Sequence, residues 1–170
     1  MQAAVSQTGK EEAGAVLAKI SKKDFKSLHG AMVDLFALMN LPGRDDVLLR
    51  EAGLSLDRAL FPLLVGIDRY GPIGVVALAE RAGRDYTTVS RQVTRLESLG
   101  LVERKPNPVD RRVNEAVLTA EGRKMTDALD AARIRLAAPA LAEWSDDDFR
   151  DLVRLLRRFV DGLMTQPNEP

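Results

Sequence analysis

The chain contains no cysteine and a single histidine. A disulfide framework, a thiolate zinc site and a thiol redox switch are thereby excluded by inventory, and one imidazole does not build a conventional metal site unaided. Glycine-rich phosphate loops and nucleophile elbows are also missing, so no constellation for covalent or phosphoryl chemistry is visible. No apolar run approaches the length of a membrane span, and the opening MQAAVSQTGKEEAG lacks the basic and apolar regions of a signal peptide. The expected address is the cytoplasm, and the expected class is not an enzyme.

Net charge is absent as well, with 25 basic and 25 acidic residues. The distribution is uneven: between Arg81 and Arg112 stand eight basic residues (Arg81, Arg84, Arg91, Arg95, Arg104, Lys105, Arg111, Arg112) against four acidic ones (Asp85, Glu97, Glu103, Asp110). A segregated basic patch is the electrostatic footprint that a phosphate backbone requires. An apolar content of 45% is too high for wholesale disorder, and 170 residues suit one compact domain with helical extensions.

The pattern along the chain is mainly helical. Residues 1–20 read as a tail, disordered or extending the first helix, and residues 166–170 as a second tail. From Phe25 to Met39 apolar residues recur at helical spacing until Pro42 and Gly43 interrupt them. DDVLLREAG is a short helical piece, after which Ser55 is a candidate cap for LDRALFPLLVGIDRY, with Pro62 a candidate kink. Gly71 and Pro72 close that helix and leave Ile73 for a very short strand. VVALAERAG follows, ended by Gly83, and Asp85 caps YTTVSRQVTRLESLG. Two short helices joined by a glycine turn make a helix-turn-helix candidate.

LVERK and VNEAVLT then read as two strands of a hairpin, separated by the basic turn PNPVDRR. Thr119 caps AEGRKMTDALDAARIRLAA, which Pro139 ends or kinks. Ser145, with Asp148 three residues later, opens a last helix with an apolar stripe from Phe149 to Leu163. The predicted fold class is mainly α with a small β-hairpin wing: a winged helix-turn-helix at 55–120, flanked by dimerisation helices at 21–54 and 121–165.

In the helix after Asp85, Val89, Val93 and Leu96 share one side. Thr87, Arg91 and Thr94 lie opposite, flanked by Thr88, Ser90 and Arg95. Arginine donates two hydrogen bonds to guanine in the major groove, and hydroxyl groups reach bases or phosphates. Arg111 and Arg112 stand at the tip of a proline-restrained loop suited to the minor groove. Asp110 has two roles open to it, pairing with a neighbouring arginine or supporting the turn.

These stretches resemble the MarR (multiple antibiotic resistance regulator) family. DRRVNEAVLTAEG is similar to the family's wing pattern through Asp110, Arg112, Leu118, Thr119 and Gly122, and TTVSRQVTRLESLGLVER to its recognition helix. The resemblance implies a ligand-responsive repressor, a homodimer on a pseudo-palindromic operator in double-stranded DNA. Arg91 would read a base, Arg112 would enter the minor groove oriented by Asp110, and Arg95 and Arg111 would meet phosphates or flanking bases. It also implies a small anionic or aromatic effector of unknown identity; from the residue inventory itself, no cofactor or metal is expected. The break at Leu41 to Arg44 departs from the family's longer first helix, and the absence of cysteine excludes its peroxide-sensing chemistry. The alternative is a winged-helix protein-interaction module without specific DNA binding.

Overall fold

A computed structural model describes residues 20–165. Both expected tails, apart from Ile20, lie outside the described residues. The described residues divide into two compact units on either side of the boundary between Val47 and Leu48.

In the first unit, helix α1 (Lys22–Met39) starts at Ser21, whose hydroxyl accepts from the Lys23 and Asp24 amides. Asn40 closes it by donating from Nδ2 to the Phe36 carbonyl at 2.8 Å. Gly43 then turns the chain at φ +81°, a left-handed conformation that glycine adopts without a side-chain clash. The apolar row from Phe25 to Met39 is exposed along its length. Helix α2 (Arg44–Glu51) crosses the boundary between the units.

The second unit holds the winged core. Helix α3 (Phe61–Tyr70) begins later than Ser55 would place it. The Asp57 carboxylate accepts from the Ala59 amide at 2.7 Å and the Asp57 carbonyl from Leu60 and Phe61, a turn that delays the helix. Pro62 therefore falls in the first turn, where its missing N–H costs no helical bond, and the expected kink does not arise. Strand β1 (Ile73–Gly74) leads into helix α4 (Val75–Ala82), which ends at Gly83 with φ +61°. Helix α5 (Tyr86–Ser98) follows, then strands β2 (Val102–Pro106) and β3 (Asn114–Leu118). The antiparallel sheet runs in the order β1, β3, β2, with Ile73 opposite Ala116 and Val102 opposite Leu118.

Leu63, Leu64 and Ile67 of α3, Leu78 of α4 and Val89, Val93 and Leu96 of α5 meet in one core with Ala116 of β3. Each leucine buried there contributes about 1.5–3 kcal/mol, so the predicted inner face of α5 is what seats the helix. A second cluster joins Leu49, Phe61 and Leu129, fastening helix α6 (Ala120–Leu141) to the core.

Pro139 lies inside α6, which continues two residues past it to Leu141. The carbonyl that loses its donor belongs to Arg135, an exposed residue that solvent can reach. Helix α7 (Asp146–Met164) opens on the expected Ser145–Asp148 capping box. Its stripe of Phe149, Leu152, Val153, Leu156 and Leu163 is exposed, with Phe159 and Val160 half-buried. No described helix is long and apolar enough to cross a membrane.

Candidate nucleic-acid interface

The site is built on α5 and the β2–β3 wing. Asp85 sets the start of α5 by accepting from the Thr88 amide at 2.8 Å. Its hydrogen bonds to Thr88, followed by a second from the backbone, hold the carboxyl below the ordinary aspartate value and keep it charged at the positive end of the helix dipole. With Val89, Val93 and Leu96 buried, Thr87, Thr88, Arg91, Thr94 and Arg95 are turned outward, and Ser90 lies half-buried at the edge.

The outward residues are not equivalent. Arg91 makes no hydrogen bond or ion pair among the described residues, so its guanidinium keeps all its donors. Arg95 reaches its own helix, donating to the Ser98 hydroxyl at 3.3 Å. Thr94 is occupied on both sides: its hydroxyl donates to the Ser90 carbonyl at 3.0 Å and accepts from Arg104 Nη2 at 3.1 Å. Arg104, which also pairs with Glu97 at 3.4 Å, thereby ties β2 to the reading helix.

The basic cluster counted along the chain is thinned in the same way. Lys105 pairs with Glu103 at 2.8 Å, Arg81 stacks on the Tyr70 ring at 4.3 Å, and Arg84 donates to the Ala59 carbonyl at 3.0 Å. Arg111 and Arg112 have no such partner among the described residues.

Within the wing, Asp110 supports the turn. Its Oδ1 accepts from the Arg112 amide at 3.0 Å, and no ion pair joins it to the Arg112 guanidinium, so any orientation it imposes acts through the backbone. Asn107 braces the other side, accepting from the Val109 and Asp110 amides at 2.8 and 2.9 Å and donating to Glu115 Oε1 at 2.7 Å.

A groove of about 640 Å³ runs between α4, α5 and the wing, and it brings together Ser90 and Arg112. Tyr86, Arg104 and Asn114 share its lining; Arg104 was noted only as part of the basic stretch, and the other two were not singled out from sequence. Tyr86 and Asn114 carry no charge, and their only signal was proximity to the helix start and the wing. Thr87, Thr88, Arg91, Thr94, Arg95, Asp110 and Arg111 lie outside the groove.

The MarR family model matches residues 56–113, the helix-turn-helix and most of the wing. A Bacillus subtilis protein described as the uncharacterized HTH-type transcriptional regulator YxaD is 34% identical over 111 residues, covering 63% of this chain and 78% of the relative. The chain belongs to the MarR family. A MarR family protein from Bacillus stearothermophilus has the same fold, with a TM-score of 0.67 at 20% identity over 86% of this chain and 99% of the other. The apo form of wild-type MarR from Escherichia coli superposes with a TM-score of 0.55 at 24% identity, over 76% of this chain and 95% of that one.

Membership makes the chain a MarR-family transcriptional regulator rather than an enzyme. It also gives the signature residues of the MarR pattern a physical reading. The Thr119 hydroxyl donates to the Gly100 carbonyl at 2.6 Å while accepting from the Gly122 amide at 3.0 Å. A Cβ on Gly122 would collide with the Leu101 carbonyl oxygen. Thr119 and Gly122 therefore clip the exit of α5 onto the start of α6.

Proposed function

We propose that this regulator is a ligand-responsive repressor that binds a pseudo-palindromic operator in double-stranded DNA as a homodimer. The observation that carries the reading is the selective freedom of Arg91, Arg111 and Arg112 amid a cluster whose other cations are mostly engaged within the chain. A guanidinium without an internal partner keeps its donors for guanine edges and phosphates. Residues 55–120 form the DNA-binding part, with Arg91 in the major groove, Arg112 in the minor groove and Arg111 on phosphates. Thr87, Thr88 and Ser90 supply short polar contacts beside Arg91, and Arg95 meets phosphates once it leaves Ser98.

Residues 21–54 and 121–165 supply the dimer. Support comes from the exposed apolar rows of α1 and α7, which exceed the scattered apolar exposure of an ordinary monomer. The effector is a small anionic or aromatic molecule. A cleft of about 320 Å³ between α3 and α4, with Arg69, Arg81 and Arg84 around an apolar floor of Val65 and Leu78, is compatible with such a ligand.

Selection of bound fragments from random double-stranded DNA tests the reading. A palindromic consensus recovered by the wild-type chain, and lost by Arg91→Ala with the fold intact, is the expected result. Recovery of unrelated fragments, or an unchanged consensus with Arg91→Ala, overturns it.

A further inference from the structure

Val109 stands apart from every other large apolar side chain described. It is 94% exposed, whereas the next most exposed, Phe36 and Ile134, reach 71%. A single exposed aliphatic residue on a floppy loop would be unremarkable. This loop is braced. Asn107 holds the Val109 and Asp110 amides, Asp110 holds the Arg112 amide, and the Asn107 and Val113 amides close the turn at 2.8 and 3.0 Å. Pro106 and Pro108 restrict the backbone on the approach. The fold thus holds an exposed isopropyl group on the braced turn between β2 and β3, two and three residues before Arg111 and Arg112, whose guanidinium groups have no partner among the described residues.

We propose that Val109 is an affinity-determining contact, packing on the deoxyribose walls of the minor groove as the wing enters. The inference rests on the DNA-binding reading above and adds an apolar component to a contact otherwise made of cations. Sugar carbons line the minor groove on both sides, and apolar wing or loop residues placed there by neighbouring arginines displace water from them. Pre-bracing matters because the ordering of the loop is settled before binding, so little freedom is lost on contact.

The test uses the full-length chain and the operator recovered by selection. Val109→Ala is expected to bind about three- to tenfold more weakly, since two methyl groups leave the contact. Val109→Thr, equal in shape but polar, is expected to weaken in the same direction. The slope of log affinity against log salt stays at the wild-type value in both, because no phosphate contact is lost. Thermal midpoints also stay put, as the side chain touches little within the chain.

Wild-type affinity in both variants overturns the proposal, as does a loss accompanied by a shallower salt slope, which would mean that the arginines had moved. The two readings fail separately. An operator bound by Val109→Ala as by wild type but lost by Arg91→Ala sinks only the role of Val109, whereas a wild-type chain that selects no sequence sinks both.

Discussion

Arg91 and Arg111 are both exposed and without an internal partner among the described residues, yet their positions set them different tasks. Arg91 lies on the outer face of a helix whose inner face is locked by three fully buried residues, so under the proposed reading its approach to a base edge is fixed. Arg91→Ala is expected to lower operator affinity by about 1–3 kcal/mol while leaving random DNA nearly unaffected, as competition binding on the two substrates measures. Arg111 sits on the loop between β2 and β3, where the proposed reading gives it a phosphate contact. Arg111→Ala is expected to weaken both substrates alike and to reduce the salt slope by about one. Equal losses on operator and random DNA for Arg91→Ala would contradict base reading. Sequence periodicity was enough to place Arg91, because outward direction on a helix follows from its buried neighbours, whereas Arg111 was placed by the turn residues of PNPVDRR. It could not reveal that Thr94 is spent on Ser90 and Arg104, since Arg104 reaches it from the next element, ten residues along the chain. Nor could it decide between the two roles of Asp110, which depend on a turn geometry that residue types alone leave open.

At the level of elements, the legible features are those governed by local chemistry. Gly83, Asp85, Thr119 and Ser145 each end or start a helix where expected, because caps act within three or four residues. The start of α3 was misplaced because Ser55 and Asp57 are both plausible turn formers, and the hydrogen bonds of Asp57 won. The caps make α5 sensitive to acid. The depressed value of Asp85 means that its contribution is complete above the ordinary aspartate value of 3.8 and is lost as pH falls from there through the lower folded value. Urea midpoints measured on either side of that window should therefore fall less in Asp85→Ala than in wild type. Parallel curves would show that the cap carries no acid sensitivity. Gly122 acts between elements. Gly122→Ala should cost stability at the upper end of the roughly 1–3 kcal/mol of an overpacked site, because the obstacle is the backbone of Leu101 and not a movable side chain. A denaturation midpoint equal to wild type would show that β2 and α6 separate freely.

At the scale of the whole molecule, a chain of zero net charge has no general attraction for DNA, so under the proposed reading affinity comes from a local cationic surface presented twice. In the proposed homodimer that doubling requires a twofold interface, and the exposed apolar stripe of α7 is the surface we assign to it. Ion pairs such as Arg154 with Asp151 at 2.8 Å and Arg157 with Asp161 at 2.6 Å keep its polar face in water, while Leu152, Val153 and Leu156 are left exposed on the other. Replacing Leu152 and Leu156 together with aspartate should leave the winged core folded, since neither residue belongs to it. Sedimentation should then report single subunits for the variant and a dimer for the wild type. The thermal midpoint of the wild type should rise with protein concentration, and that of the variant should not. Operator affinity should fall about a hundredfold or more, because the second half-site no longer binds as part of the same molecule. Half-site centres in the selected operator should lie about 34–36 Å apart, or a multiple of it, so that both reading helices face the same side of the duplex. A variant that remains dimeric with full affinity would remove α7 from the interface and leave the apolar row of α1 as the surface to alter next.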